Sequence, residues 1–386
     1  MRVPKLLLPA VALSLLAAAP AAAHHGASVK VIAEKLDNPR HVAVAWNGDV
    51  YVAEAGKGGD PAKSKSCFDS AEGFACTGAS GAITRVFKKH GKLQKERVVR
   101  GLASFAPADG ASAIGPHGVF VRGSDVFFTN GGPTAPMRGG AVVLRDPTLV
   151  SEEPISRLYG TLLKLDRHER VKFVADLWRF ERDNNPDGQV GNPLIDSNPV
   201  DVFAGHHGQL VADAGGNTVL RVGRHGRVSV VALFPNIPTP GPGGAVIPMN
   251  AVPTGVVVGP DGNYYMSQLT GFPFPAGGAK IFRINPRTGA YTTYASGFTN
   301  AMDLAFGPDG TLYVLEIDHD SILGPSHDGA LFRVPRGGGV GQQIELPAGT
   351  LTDPGGLAVA GRKTLVISNH GREAGTGEVL EVTLDR

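Results

Sequence analysis

Glu54, Asn130, Asp213, Gln268, Glu316 and Asn369 all carry side-chain oxygens, and each closes the same phrase of sequence: an apolar strand, a tight turn, then a second apolar strand. Oxygen ligands repeated around one rim have the type that a hard cation such as calcium takes, at six to eight per ion. The same recurrence suits a structural role equally, one cap per repeat on the backbone amides where the second strand ends. A residue needed for chemistry alone would not have to recur in every repeat.

Asp201 and Asp303 discriminate better, because they enter the first strand of their repeats where other repeats have Gly or His. That strand lies nearest the axis of any ring the repeats build, and a carboxylate there is costly unless paired or bound to metal. His41 and His117 sit near the same end of their first strands. Each is either a general base or ligand, or a structural histidine with its hydrogen bonds satisfied. The candidate metal ligands are therefore Glu54, Asn130, Asp201, Asp303 and Glu316, and the candidate proton-moving groups are His41, His117 and Asp303. Weaker signals are Asp318-His319-Asp320, the Asp183–Gly188 segment, which lacks the full spacing of a calcium hand, and His24-His25 as an amino-terminal copper clamp. His206 and His207 fall in a turn and are expected to be solvated. No nucleophile elbow, Walker loop or dinucleotide fingerprint appears.

The elements that must position these residues are strands. First strands begin at 39, 116, 199, 253, 301 and 354, at intervals of 77, 83, 54, 48 and 53 residues. All-strand repeats of about 40 to 50 residues are propeller blades, and the two longest intervals are blades with insertions. The last repeat stops after its third strand, while an orphan strand, 29–34, precedes the first. Pairing the two removes an exposed edge, so the expected fold is an all-β, six-bladed β-propeller closed by its amino-terminal strand. Turns between the first and second strands are short, and every long insertion (56–80, 131–159, 176–198, 234–252, 269–278 and 317–328) falls on the other face, where function is expected. One insertion continues from Lys172 into a short helix, with Phe173, Leu177 and Phe180 expected on one side.

Arg2 and Lys5 precede an apolar run, 6–19, with small residues at 21–23. This reads as a secretory leader (1–23) cleaved near Ala23, too short for a membrane span, followed by one propeller domain, 24–386. Of 37 basic and 35 acidic residues, two of the basic ones lie in the leader, so the remainder is balanced and offers no electrostatic case for nucleic acid or anionic lipid. The only cysteines, Cys67 and Cys76, share one insertion. In an oxidising compartment they pair and pin that loop; the alternative is two free thiols at a reactive site.

The leader, Leu36-Asp37-Asn38-Pro39-Arg40, the run 50–56 with its cysteine-bearing insertion, 81–86, and Asn185-Pro186-Asp187-Gly188 before 196–199 together resemble the ScyD/ScyE family over nearly the whole mature chain. That resemblance implies an exported propeller, similar to NHL-repeat proteins, and brings no reaction with it. More distantly the chain is similar to calcium-dependent lactonases and gluconolactonases of the SMP-30 type, six-bladed propellers with an axial metal. In that likeness Asp201 and Asp303 match the type of axial aspartate, Asn130 or Glu54 would complete the set, and the first-strand Glu of those enzymes finds no match. Quinone-dependent sugar dehydrogenases share the architecture, but the basic residues their cofactor needs are not clustered on the loop face. The expectation is an exported monomeric propeller, a binding or assembly protein without catalysis, whose partner is a small molecule or an extracytoplasmic protein. The alternative is a hydrolase of the lactonase type with Ca2+ as cofactor.

Overall fold

The computed structural model describes residues 27–70, 73–133, 137–138, 141–142, 154–192 and 194–385. The leader, His24-His25 and much of the 131–159 insertion lie outside them. Six antiparallel blades form a ring, and their innermost strands are Pro39–Val44, Pro116–Arg122, Pro199–Gly205, Pro253–Val258, Ala301–Phe306 and Gly356–Val359. Each packs on its two neighbours, and the last returns to the first.

Closure follows the expected route. Ser28–Asp37 pairs antiparallel with Ala374–Thr383, placing Val29 opposite Val382 and Val31 opposite Leu380, and so supplies the outer strand of the sixth blade. Between blades the wedges fill with alternating apolar side chains, for example Phe298, Leu304, Val314 and Phe332 between the fourth and fifth. Cys67 and Cys76 face each other across a hairpin in the first blade's insertion and are disulfide-bonded. Among the described residues no helix is long and apolar enough to cross a membrane.

The expected insertion helix forms at Leu177–Asn184, where the Asp176 side chain accepts a hydrogen bond from the Arg179 amide. Leu177 is fully buried and Phe180 partly so, but Phe173 belongs to the preceding strand, Val171–Asp176, and is 59% exposed. Strand alternation, not helical spacing, governs Phe173 and turns it outward.

One irregularity recurs in five blades. Pro39 pairs with Glu54 and Val42 with Val52, so two residues of the inner strand oppose one of its partner. The same bulge occurs after Pro116, Pro199, Pro253 and Ala301. A bulge bends the strand and re-aims the side chain beside it, and here that side chain is the one nearest the axis.

Candidate functional site at the propeller axis

The re-aimed position holds His41, Gly118, Asp201, Gly255, Asp303 and Gly356 in blade order, so a polar side chain alternates with glycine around the ring. Space dictates the alternation. A Cβ on Gly118 would lie 2.6 Å from Asp201 Cα, and one on Gly356 would lie 2.4 Å from His41 Cα. On Gly255 it would lie 3.0 Å from Asp303 Oδ1. The axis has room for three side chains at this level, and the glycines provide that room.

Those three side chains converge. One donor atom from each of His41, Asp201 and Asp303 lies within 4.8 Å of the other two, and all three residues are buried. Each carboxylate bridges two blades: Asp201 accepts from the amides of Val202 at 2.7 Å and Val256 at 2.8 Å, and Asp303 from those of Leu304 and Leu357, both at 2.7 Å. His41 Nε2 stands 3.7 Å from Asp303 Oδ1 and has no hydrogen-bond partner. His117, one position earlier in its strand, brings Nδ1 within 3.3 Å of His41 Nδ1 and 2.9 Å of the Val200 carbonyl.

Burial controls the charges. It pushes Asp201 up to about 7, and raises Asp303 well above the usual carboxylate range with help from the negative charge of Asp201. Burial and then the nearby Arg40 guanidinium push His41 down to about 3, and the same two causes, with His41, hold His117 well below its ordinary value. At neutral pH both imidazoles are neutral, which is the form that binds metals.

The trio fits a cation. Ligand atoms on opposite sides of an ion at about 2.0 to 2.4 Å are about 4 to 4.8 Å apart, and His41 Nε2 is a buried polar atom left over. One imidazole nitrogen with two carboxylates suits zinc or manganese better than calcium, which prefers oxygen alone.

The trio lines the end of a cavity of about 260 Å3, walled by inner-strand residues that include Val44, Val121, Val258, Phe306 and Val359. That cavity shares Phe120, Val121, Phe203 and Val258 with a groove of about 760 Å3, which also takes in Gly123, His206, His207 and Gly262. These belong to the short turns between first and second strands. The approach is therefore from the face opposite the long insertions, whereas the loop lengths point to the insertion face. On that face the axis carries buried Arg40, His117, Thr254 and Met302.

The rim residues are placed apart from the axis. Glu54 accepts from the Asp37 amide at 2.8 Å and the Thr84 hydroxyl, and pairs with Arg97 at 2.6 Å. Glu316 takes the Thr299 amide and His319 Nδ1, and Asp213 and Asn369 likewise accept the amides of Asn198 and Thr352. In these four blades the recurring residue caps the strand leading in. Asn130 makes one bond of 3.3 Å, to the Gly131 carbonyl, and Gln268 makes none. Asp318 Oδ1 holds the amides of Asp320 and Ser321 in a turn.

Sequence reading passed over Glu181, buried on the insertion helix and pushed up to about 9 by burial and by Asp213, Asp187 and Asp196. No repeat marks it, because it belongs to one insertion; its one signal is an acid on the Leu177 side of the helix.

No protein-family model matches the chain, and no curated protein matches it by sequence. Solved structures do match by fold. A gluconolactonase of Xanthomonas campestris superposes with a TM-score of 0.51 at 11% identity, covering 93% of this chain and 89% of that one. A putative gluconolactonase gives 0.50 at 12% identity over 93% and 92% of the two chains. A streptogramin B lyase gives 0.50 at 12% identity over 93% and 98%. At these identities the likeness is one of fold, and the chain is a six-bladed propeller.

Proposed function

We propose that the protein is an exported binding propeller that takes a small anionic ligand with an apolar or aromatic body along its axis, from the short-turn face. One observation carries this reading: the His41–Asp201–Asp303 trio ends an apolar cavity that merges with a drug-sized groove. Phe120, Phe203 and Tyr264 give the groove aromatic walls, Arg122, Arg221 and Arg287 line it, and no acidic residue does. A divalent cation held by His41, Asp201 and Asp303 would cancel the charge of the two carboxylates and offer the ligand an open coordination position. Arg122 already spends one nitrogen on the Gly205 carbonyl and Arg221 one on the Tyr264 hydroxyl, so both are oriented rather than free to sweep. Titration with 2-naphthoate, followed by chemical-shift changes, tests the reading. Saturable binding that weakens several-fold in Arg221→Gln is expected; no binding, or binding indifferent to Arg221 and Phe203, would contradict it.

A metal-dependent hydrolase of lactones or esters is the second reading, favoured by the neutral, unpartnered His41 Nε2 beside Asp303. There the ion would polarise the carbonyl, while His41 or Asp303 moves the proton. Turnover of simple lactones or aryl esters that needs added metal and is lost in Asp303→Asn would establish it. A flat response across that panel removes it.

A further inference from the structure

A second buried acidic cluster lies away from the axis, where the 176–198 insertion meets the third blade. Glu181, on the helix Leu177–Asn184, is 2% exposed, and Asp187, in the turn after it, is 1% exposed. Glu181 reaches the Gly215–Gly216 turn beyond the strand Gly208–Asp213, and Asp187 reaches Asn217, the residue that follows that turn. A Cβ on Gly216 would stand 3.0 Å from Glu181 Oε2 and 3.6 Å from the Asp196 carbonyl oxygen, and one on Gly215 would stand 3.0 Å from the Asp196 carboxyl carbon.

Two of these acids keep a buried oxygen without a partner. Asp187 Oδ2 accepts from the carboxamides of Asn192 at 2.7 Å and Asn217 at 2.9 Å, while its Oδ1 is buried with no partner. Glu181 Oε1 is likewise buried with no partner. Asp213 is saturated by the Ser197 hydroxyl and the amides of Asn198 and Gly216. Among the described residues no ion pair reaches Glu181, Asp187 or Asp213. The helix's own Arg179 and Arg182 both turn to Asp183 on its exposed side. Buried carboxylates without a counter-charge either hold a proton or hold a cation.

We propose that this cluster is an oxygen-only divalent cation site of the calcium type, with Glu181 Oε1 and Asp187 Oδ1 as anionic ligands and the Asp196 carbonyl among its neutral ones. Only the axial trio brings three candidate donors within 4.8 Å among the described residues, so two carboxylates with carbonyls and water complete this shell. Among the described residues the cluster offers oxygen donors, without the imidazole found at the axis, and that selects a hard ion. Binding would tie the insertion helix to the turn of the third blade and fix the loop that links blades two and three.

The test uses the whole mature protein, stripped with a chelator and titrated with terbium under tryptophan excitation. Trp178 lies one turn from Glu181, and the only other tryptophan, Trp46, is 87% exposed in a turn of the first blade. Saturable sensitised emission is expected, displaced by calcium, weakened at least tenfold in Glu181→Gln and in Asp187→Asn, and unchanged in Asp303→Asn. Trp178→Phe should dim the emission and leave the calcium-induced rise in Tm intact. Glu181→Gln keeps the side chain's shape and removes its capacity to become an anionic ligand, and near-ultraviolet circular dichroism checks its fold. No saturable emission, emission that survives both acid substitutions, or emission lost only in Asp303→Asn would overturn the proposal.

Discussion

The rim and the axis of this propeller both carry buried acids, and they are arranged by opposite rules. At the rim an oxygen-bearing residue stands in every blade, and in four of the six it takes the amide of the strand leading in. On the axis His41, Asp201 and Asp303 alternate with glycines that have no room for a side chain. A residue repeated in every blade answers a need every blade shares. A residue that breaks the repeat, at the cost of burying charge beside the axis, answers a need of the whole ring.

The sharpest way to break this comparison is to fill the axis. Gly356→Ala would push a methyl to 2.4 Å from His41 Cα, backbone with nowhere to move, and should cost more than about 4 kcal/mol. Chemical denaturation, or loss of soluble protein, reads the effect; a variant as stable as the parent would show that the alternation is not steric.

At the rim the effects should track the bonds made. Glu54→Ala strands the Asp37 amide and the Thr84 hydroxyl and leaves Arg97, 31% exposed, with Asp37 as its one carboxylate partner, so the expected loss is about 2 to 3 kcal/mol. Asn130→Ala removes one bond of 3.3 Å and should cost about 1 kcal/mol or less. Equal losses at the two positions would mean that recurrence, and not the observed bonding, sets their value.

The chelated protein should also show a pH dependence. Asp201 and Asp303 bind protons more tightly folded than unfolded, so their contribution is complete below about pH 4 and is lost as pH rises through about 7 for Asp201. His41 and His117 act in reverse: their contribution is present above about pH 6.5 and is lost as pH falls toward about 3 for His41. Between those windows the two oppose. Above about pH 6.5 only the carboxyls remain, Glu181 among them, and stability should fall by up to about 1.4 kcal/mol per pH unit for each titrating group. Thermal melts across that range should flatten in Asp201→Asn and Asp303→Asn; an unchanged slope would remove the axial carboxyls as its source.

How far the sequence foretold all this follows from the same rule. Blade count and closure were legible because Pro39, Pro116, Pro199, Pro253 and Pro354 recur at strand starts, and because 29–34 had no partner except the last blade. Asp201 and Asp303 were legible as exceptions to their repeat. The face was not: long insertions pointed to one side, but the cavity beside the trio opens among the short turns, and bulge geometry decides that. Nor could a repeat distinguish Glu54, which is fully bonded, from Gln268, whose carboxamide is unpartnered. Glu181 escaped because its burial is created by contacts between an insertion and a turn distant in sequence.

On the axis His41, Asp201 and Asp303 would hold a cation, while at the rim the acids hold the backbone. Thermal melts of chelated protein titrated with zinc, manganese and calcium, in the parent, Asp303→Asn and Glu316→Gln, test this directly. A rise in Tm with zinc or manganese that survives in Glu316→Gln and vanishes in Asp303→Asn is the predicted result. A zinc or manganese response lost in Glu316→Gln but kept in Asp303→Asn, or none with any ion, would contradict it.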